Sequence, residues 1–257
     1  MNVPVYPDLA DKVAVVTGGS KGIGAATCVL LGHNRARVAV CGRDEEDIER
    51  VTSDTREAGA AEAVGIAADL TDPDGVARLR AEVEDRLGPA DALFAFAGGF
   101  GARTPLLQTQ LEEWNGVVES NLTSTFLTLR EFGAGMAERG SGSIVTMASN
   151  AARFLDIKLT ASYAAAKAGI AMLSRHAALE LGEQGVRVNV LAPATILSER
   201  VKTNMDEERL AQIAAMSPLG TIGVPEDPAL AALFLASDSS RWMTGVTLDV
   251  AGGRIMM

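Results

Sequence analysis

The chain has 257 residues, 47% of them apolar, and a formal net charge of −10. That length suits one or two domains, and α/β sheets often reach it as one. So acidic a surface argues against nucleic acid or anionic membrane as a partner, although a local basic spot can still bind one phosphate. No apolar run approaches the roughly 20 residues of a membrane span, and Met1 to Asp8 lack the basic and apolar regions of a signal peptide. Cys28 and Cys41 make no disulfide framework, which fits a reducing, cytoplasmic setting.

Short β-branched runs alternate with helical patterns along the chain. Val13–Val16 reads as a buried strand, followed by glycines and a helix to about Leu31. Val38–Cys41 is a second strand, Asp44 to Ala58 a charged helix, and Ala63–Ala67 a weaker third strand. Asp72 to Leu87 is helical and Ala92–Phe96 is a fourth strand. One long helical stretch is expected from Leu111 to Glu138, then a fifth strand at Ser143–Met147. Thr160 to Gly182 is a helix, Val186–Leu191 a sixth strand, Glu226 to Ala236 a helix, and Val246–Val250 the last strand. Continuous apolar strands between helices predict an α/β, doubly wound, mostly parallel seven-stranded sheet covered on both faces. Ligands of such sheets sit at the carboxyl ends of the strands.

Two motifs fall at such ends. Thr17-Gly18-Gly19-Ser20-Lys21-Gly22-Ile23-Gly24 follows the first strand. Glycines permit a tight turn and close backbone approach, and the helix start behind them favours phosphate. Tyr163 and Lys167, four apart in Ser162–Lys167, share a helix face. That spacing lets an ammonium lower the pKa of a phenol, which makes the phenol useful for proton transfer near neutrality.

With Ser149 fourteen residues upstream and Asn121 earlier still, these motifs resemble the short-chain dehydrogenase/reductase family over nearly the whole chain. The resemblance implies a single Rossmann-like NAD(P)-binding domain over 1–257 and an oxidoreductase that interconverts a carbonyl and a secondary alcohol. It makes Tyr163 the general acid-base. Lys167 lowers the phenol pKa and binds the cofactor ribose, Ser149 orients the substrate oxygen, and Asn121 holds a relay water. Ser149 is preferred to Asn150 for its place at the strand end. His33 and His176 read as packing or turn residues, and no metal site is expected.

For the cofactor, the resemblance assigns Gly18, Ser20, Lys21, Gly22, Ile23 and Gly24 to the phosphate turn. Arg43, after the second strand and on the same side as Lys21, favours NADP(H) over NAD(H), while Asp44 also suits an N-cap. Asp69-Leu70 matches the adenine-binding position. Phe96-Ala97-Gly98 stands where the family has asparagine before Ala97 and Gly98. Pro193, Ile196 and Ser198 fall where relatives hold the nicotinamide. An NAD-dependent alcohol, sugar or polyol dehydrogenase and a non-catalytic cofactor sensor are the alternatives.

The substrate, expected to be a small carbonyl or alcohol, should be walled by Phe100, Arg103, the loop 153–159 and a lid over 195–217 with Met205, Leu210, Ile213 and Met216. Arg153 and Lys158 read as solvated loop charges. Tyr163–Gly169 resembles the 3-oxoacyl-carrier-protein reductases, which dock an acidic carrier; Arg139 and Arg175 are the cations available, and Leu179 stands where many carry arginine. Helix faces in 111–138 and 160–182 are expected to pair in a homotetramer.

Overall fold

The computed structural model describes residues 3–154 and 160–256. Lys158 and the rest of 155–159 lie outside the described residues. Seven strands form one sheet in the order β3-β2-β1-β4-β5-β6-β7. They are β1 (Val13–Thr17), β2 (Arg37–Gly42), β3 (Glu62–Ala67), β4 (Ala92–Ala95), β5 (Gly142–Met147), β6 (Val186–Pro193) and β7 (Thr247–Val250). Every neighbouring pair is parallel. The chain winds outward from β1 in both directions, so the order reverses between β1 and β4, where a crevice opens at the carboxyl ends.

Two apolar layers flank the sheet. One is set by α1 (Gly22–His33), α2 (Glu45–Glu57) and α9 (Glu226–Ala236), and includes Leu31, Val40, Phe94 and Leu233. The other is set by α3 (Pro73–Arg86), α5 (Ser124–Glu138) and α6 (Ala161–Gly182), and includes Leu79, Leu93, Phe132 and Ile144. Alternate residues of β1 show the division: Ala14 and Val16 go to the first layer, Val13 and Val15 to the second.

Helix starts follow their side chains. The Asp44 carboxylate accepts the Asp47 amide at 3.0 Å, Asp72 accepts the Asp74 and Gly75 amides, and Thr160 Oγ1 accepts the Tyr163 amide at 3.3 Å. Such caps each contribute about 1 kcal/mol. The Thr160 cap also fixes where α6 begins, and hence the phase at which Tyr163 and Lys167 face the sheet edge.

The expected single helix over Leu111–Glu138 is interrupted. α4 (Leu111–Val118) runs into a π turn, Glu119–Thr123, before α5 begins. Hydroxyls explain how the widened turn is held. Ser124 Oγ and Thr125 Oγ1 donate to the Asn121 carbonyl at 3.1 and 2.7 Å, and Ser120 Oγ donates to Gly116 O at 2.7 Å. Asn121 sits inside that turn, fully buried. Segment 195–217 forms two short helices, α7 (Glu199–Asn204) and α8 (Glu207–Ala215), and of Met205, Leu210, Ile213 and Met216 only Ile213 is buried.

Candidate active site

The crevice between β1 and β4 is floored by glycine. A Cβ on Gly24 would lie 2.1 Å from the Gly18 carbonyl, so only glycine lets α1 pack this tightly on the turn. α1 begins after Lys21 with no side-chain cap, which leaves its first amides open toward the crevice. Ser198, at the start of α7, comes close to Gly22: its Cβ would be 3.8 Å from a Cβ placed there. Ile196 is held by a parallel bridge to Gly223, and Leu197 donates to Gly223 O at 2.8 Å. An open helix start, a glycine floor and a hydroxyl above it fit the pyrophosphate of a dinucleotide.

The Phe96 substitution is accommodated by Thr17. Thr17 Oγ1 donates to Phe94 O at 3.3 Å and accepts the Phe96 and Ala97 amides at 3.1 and 3.4 Å. One threonine thus closes the junction between the ends of β1 and β4 through backbone alone. Phe96 turns into the core and meets Phe94 edge-on, with ring centroids 5.8 Å apart.

Beside the end of β2, Lys21 is held by an ion pair. Its ammonium is paired with Asp47 at 2.5 Å, and Asp47 also pairs with Arg50. Lys21 is therefore drawn to the N-terminus of α2, leaving Arg43 exposed and without an ion-pair partner among the described residues. Asp69 Oδ1 accepts from Thr71 N and Oγ1 at 2.9 and 2.7 Å. Those bonds, with the charge of Arg43 nearby, hold the Asp69 carboxyl below its ordinary range. Leu70 is buried in the second apolar layer.

Tyr163 and Lys167 enter the site from α6, and Ser149 from the end of β5; all three are buried. Ser149 Oγ accepts the Ala151 amide at 3.2 Å as the cap of a short 3₁₀ turn. It faces Tyr163 closely enough to favour the phenolate, and Asn150 contacts Ser149 instead. Asn121 clamps the loop after β4. Its Nδ2 donates to Gly99 O and Val117 O, each at 2.9 Å, and its Oδ1 accepts the Gly99 amide at 3.2 Å. Gly98, at φ +145°, permits that approach, since a Cβ there would lie 2.3 Å from Asn121 Oδ1 and 3.5 Å from Lys167 Nζ. Both polar atoms of the Asn121 side chain are thus engaged by backbone.

The electrostatics also differ from a simple ammonium–phenol pair. Burial pushes Tyr163 up to about 12, with Ser149 and the charge of Arg200 working against it. Burial brings Lys167 down to about 7. Lys167 Nζ donates to the Met147 carbonyl at 2.8 Å and stands 5.6 Å from the Tyr163 ring centre. Desolvation therefore outweighs the expected lowering of the phenol by the lysine.

On the substrate side, Phe100 lies against Tyr163, ring centroids 4.5 Å apart at 38°. Arg200, from α7, sits over the other partner of this stack, 5.7 Å from the Phe100 centroid. Sequence reading named Phe100 and missed Arg200, because it weighed only the apolar residues of 195–217. Arg153 is not a solvated charge: it pairs with Asp249 of β7 at 2.5 Å, and both side chains are largely buried. Arg139 is likewise committed, donating to Ala90 O at 2.5 Å.

Comparisons with known proteins agree with this geometry. The family described as Enoyl-(Acyl carrier protein) reductase matches residues 18–254. The chain is 37% identical to cis-4-hydroxycyclohexanecarboxylate dehydrogenase of Sinomonas cyclohexanicum, over 95% of this chain and 96% of the relative. It is 33% identical to 3β-hydroxysteroid dehydrogenase 1 of Eggerthella lenta, over 97% and 95%. A crystal structure of a 3-oxoacyl-[acyl-carrier protein] reductase with bound NAD from Brucella melitensis superposes with a TM-score of 0.90 at 32% identity, covering 98% of this chain and 94% of that one. No helix among the described residues is long and apolar enough to cross a membrane. A seven-stranded parallel sheet with a dinucleotide crevice, matched along nearly its whole length by these proteins, makes this chain a member of the short-chain dehydrogenase/reductase family, an NAD(P)(H)-dependent oxidoreductase of carbonyl and alcohol groups.

Proposed function

We propose that the chain interconverts a cyclic secondary alcohol and its ketone with NADP(H), and that Tyr163 exchanges the proton. The observation that carries this reading is the buried set Ser149, Tyr163 and Lys167 gathered at the sheet edge where the strands end, the edge at which α1 starts uncapped after β1. Ile196 and Ser198 would hold the nicotinamide, which would supply hydride in reduction and take it up in oxidation. Tyr163 accepts the hydroxyl proton in oxidation and returns it in reduction. Ser149 donates to the substrate oxygen where charge develops. Lys167, with a buried amine and one backbone partner, holds the ribose hydroxyls. Asn121 acts as a positioning residue: it fixes the Gly99 backbone and so the place of Phe100.

The ring-alcohol class draws support from the first two relatives, both named for alcohols on saturated rings. The aromatic wall at Phe100 suits an apolar ring. A 3-oxoacyl group on an acidic carrier fits less well. The chain carries net charge −10, Arg139 is engaged by backbone, and Leu179 is exposed beside Arg175. For the cofactor, β2 ends Cys41-Gly42 without a carboxylate, and Asp44 is committed to capping α2. That leaves Arg43 for a 2′-phosphate. NAD is the second reading, favoured by the ligand of the Brucella melitensis structure.

Nicotinamide absorbance decides between these readings. Cyclohexanol-type alcohols are expected to be oxidised with NADP⁺ at least about 10-fold more efficiently than with NAD⁺, and Arg43→Asp is expected to reverse that order, as loss of a charge-assisted contact implies. Preference of the wild type for NAD⁺ would overturn the cofactor part. Faster turnover of a short 3-oxoacyl thioester than of any ring alcohol or ketone would overturn the substrate part.

We also infer a homotetramer. Leu111, Phe126, Met172 and Leu179 are exposed on α4, α5 and α6, and they lie along the helix stretches expected to pair. Light scattering is expected to give about four times the 26.8 kDa chain mass, and a monomer would refute the inference.

A further inference from the structure

Arg200 is a charged residue of the cleft wall that forms no ion pair among the described residues. It lies on α7, across the cleft from the β4 loop, with Gly99 close by: a Cβ there would be 3.7 Å from an Arg200 terminal nitrogen. Its guanidinium lies over the face of Phe100, whose ring rests in turn on Tyr163. No acidic side chain among the described residues pairs with Arg200, whereas Arg153 is neutralised by Asp249. A guanidinium held by an aromatic face keeps its five N–H donors unused, and those donors match the two oxygens of a carboxylate. The charge is also near enough to the reacting phenol to favour its ionised form.

We propose that Arg200 determines specificity by receiving the carboxylate of a cyclic hydroxy acid or keto acid, set about one ring's width from the carbon that Tyr163 serves. This rests on the ring-alcohol reading above. Phe100 provides the spacing. With its ring between phenol and guanidinium, a compact substrate places its alcohol at Ser149 and Tyr163 and its anion at the edge of the cleft. Segment 195–217, which carries Arg200, is then drawn to the substrate by a charge pair that forms only when a carboxylate is present.

The test compares cis-4-hydroxycyclohexanecarboxylate with its methyl ester, using wild type, Arg200→Met and Arg200→Lys. Wild type is expected to favour the free acid in kcat/KM by about 10- to 100-fold. Arg200→Met is expected to bring the ratio near one, mainly through KM, and Arg200→Lys to leave an intermediate value, because an ammonium keeps the charge but not the fork. A purely structural role for Arg200 would depress acid and ester together and leave the ratio unchanged, which would overturn the proposal. So would a wild type that prefers the ester. Calorimetric binding of cyclohexanecarboxylate to the NADP⁺-loaded enzyme gives a readout independent of turnover. It is expected to weaken at least about 10-fold in Arg200→Met. If neither alcohol is oxidised but that loss of binding is seen, the anion site stands and the ring-alcohol reading falls. If cyclohexanecarboxylate binds both proteins equally or neither, the anion site falls.

Discussion

Replacing Tyr163 with phenylalanine is expected to lower kcat/KM about 10²- to 10⁴-fold while cofactor affinity stays within a few-fold of wild type. The magnitude is that of a positioned general acid-base. Phenylalanine keeps the ring that packs against Phe100 and removes only the hydroxyl beside Ser149, so the cleft wall survives while the proton route does not. Nicotinamide fluorescence on binding, followed beside steady-state turnover, separates the two effects. The same phenol sets a pH signature. Burial pushes it up to about 12, so the protonated form dominates at neutrality and alcohol oxidation, which needs the ionised form, is expected to accelerate with pH between about 7 and 10. Ketone reduction, which needs the proton, is expected to stay level over the neutral range. A variant that retains more than about a tenth of wild-type turnover would remove Tyr163 from the chemistry.

Lys167→Met is expected to produce the second large effect, on stability as well as turnover. Burial brings the folded-state pKa to about 7, well under the ordinary lysine value of 10.5. Between those values the unfolded chain holds a proton that the folded chain lacks. Wild-type stability therefore rises as pH climbs from about 7 to 10.5, and below 7 the full cost of burying an ammonium remains. Methionine fills similar space with no charge to desolvate. Its stability relative to wild type should be greatest near pH 7 and should shrink by several kcal/mol, in order of magnitude, toward pH 10. Chemical unfolding at four or five pH values checks the slope. A difference that is flat with pH would mean Lys167 is solvated in the folded protein. Turnover is expected to fall at least about 10²-fold in the same variant, through loss of the ribose contact and of the proton-transfer environment.

Much of the architecture is legible in the sequence alone. Strands such as Val13–Val16 and Ser143–Met147 are apolar on both faces, which only a sheet covered on both sides explains, and all seven expected strands pair in the parallel sheet. Asp44 was readable both as a cap and as a ribose ligand, and the structure shows it capping. Local patterns failed where a contact crosses the chain. The pairing of Lys21 with Asp47, 26 positions on, leaves no local trace in the sequence, and Arg153 reads as solvated because Asp249 lies 96 positions on. Thr17 gave no sign of bracing Phe96, since a threonine at a strand end is ordinary and the bond spans 79 positions. The pairing of Tyr163 with Lys167 was visible as spacing, but their ionisation depends on burial, which a helical repeat does not encode.

The widened turn at Glu119–Thr123 has a consequence for how this region tolerates change. A π turn inserts one residue into an α-helical path, and that residue rotates everything beyond it by about 100°. α4 and α5 are therefore out of phase: the frame that aims Asn121 at the β4 loop is offset from the frame that seats Phe132 and Met136 beneath the sheet. Deleting one residue here would restore a regular ladder of backbone bonds yet misalign either the clamp or the core. Substitutions on the substrate side of α4 are accordingly insulated from the second apolar layer, because the irregular turn acts as a phase break between the packed interior and the cleft rim.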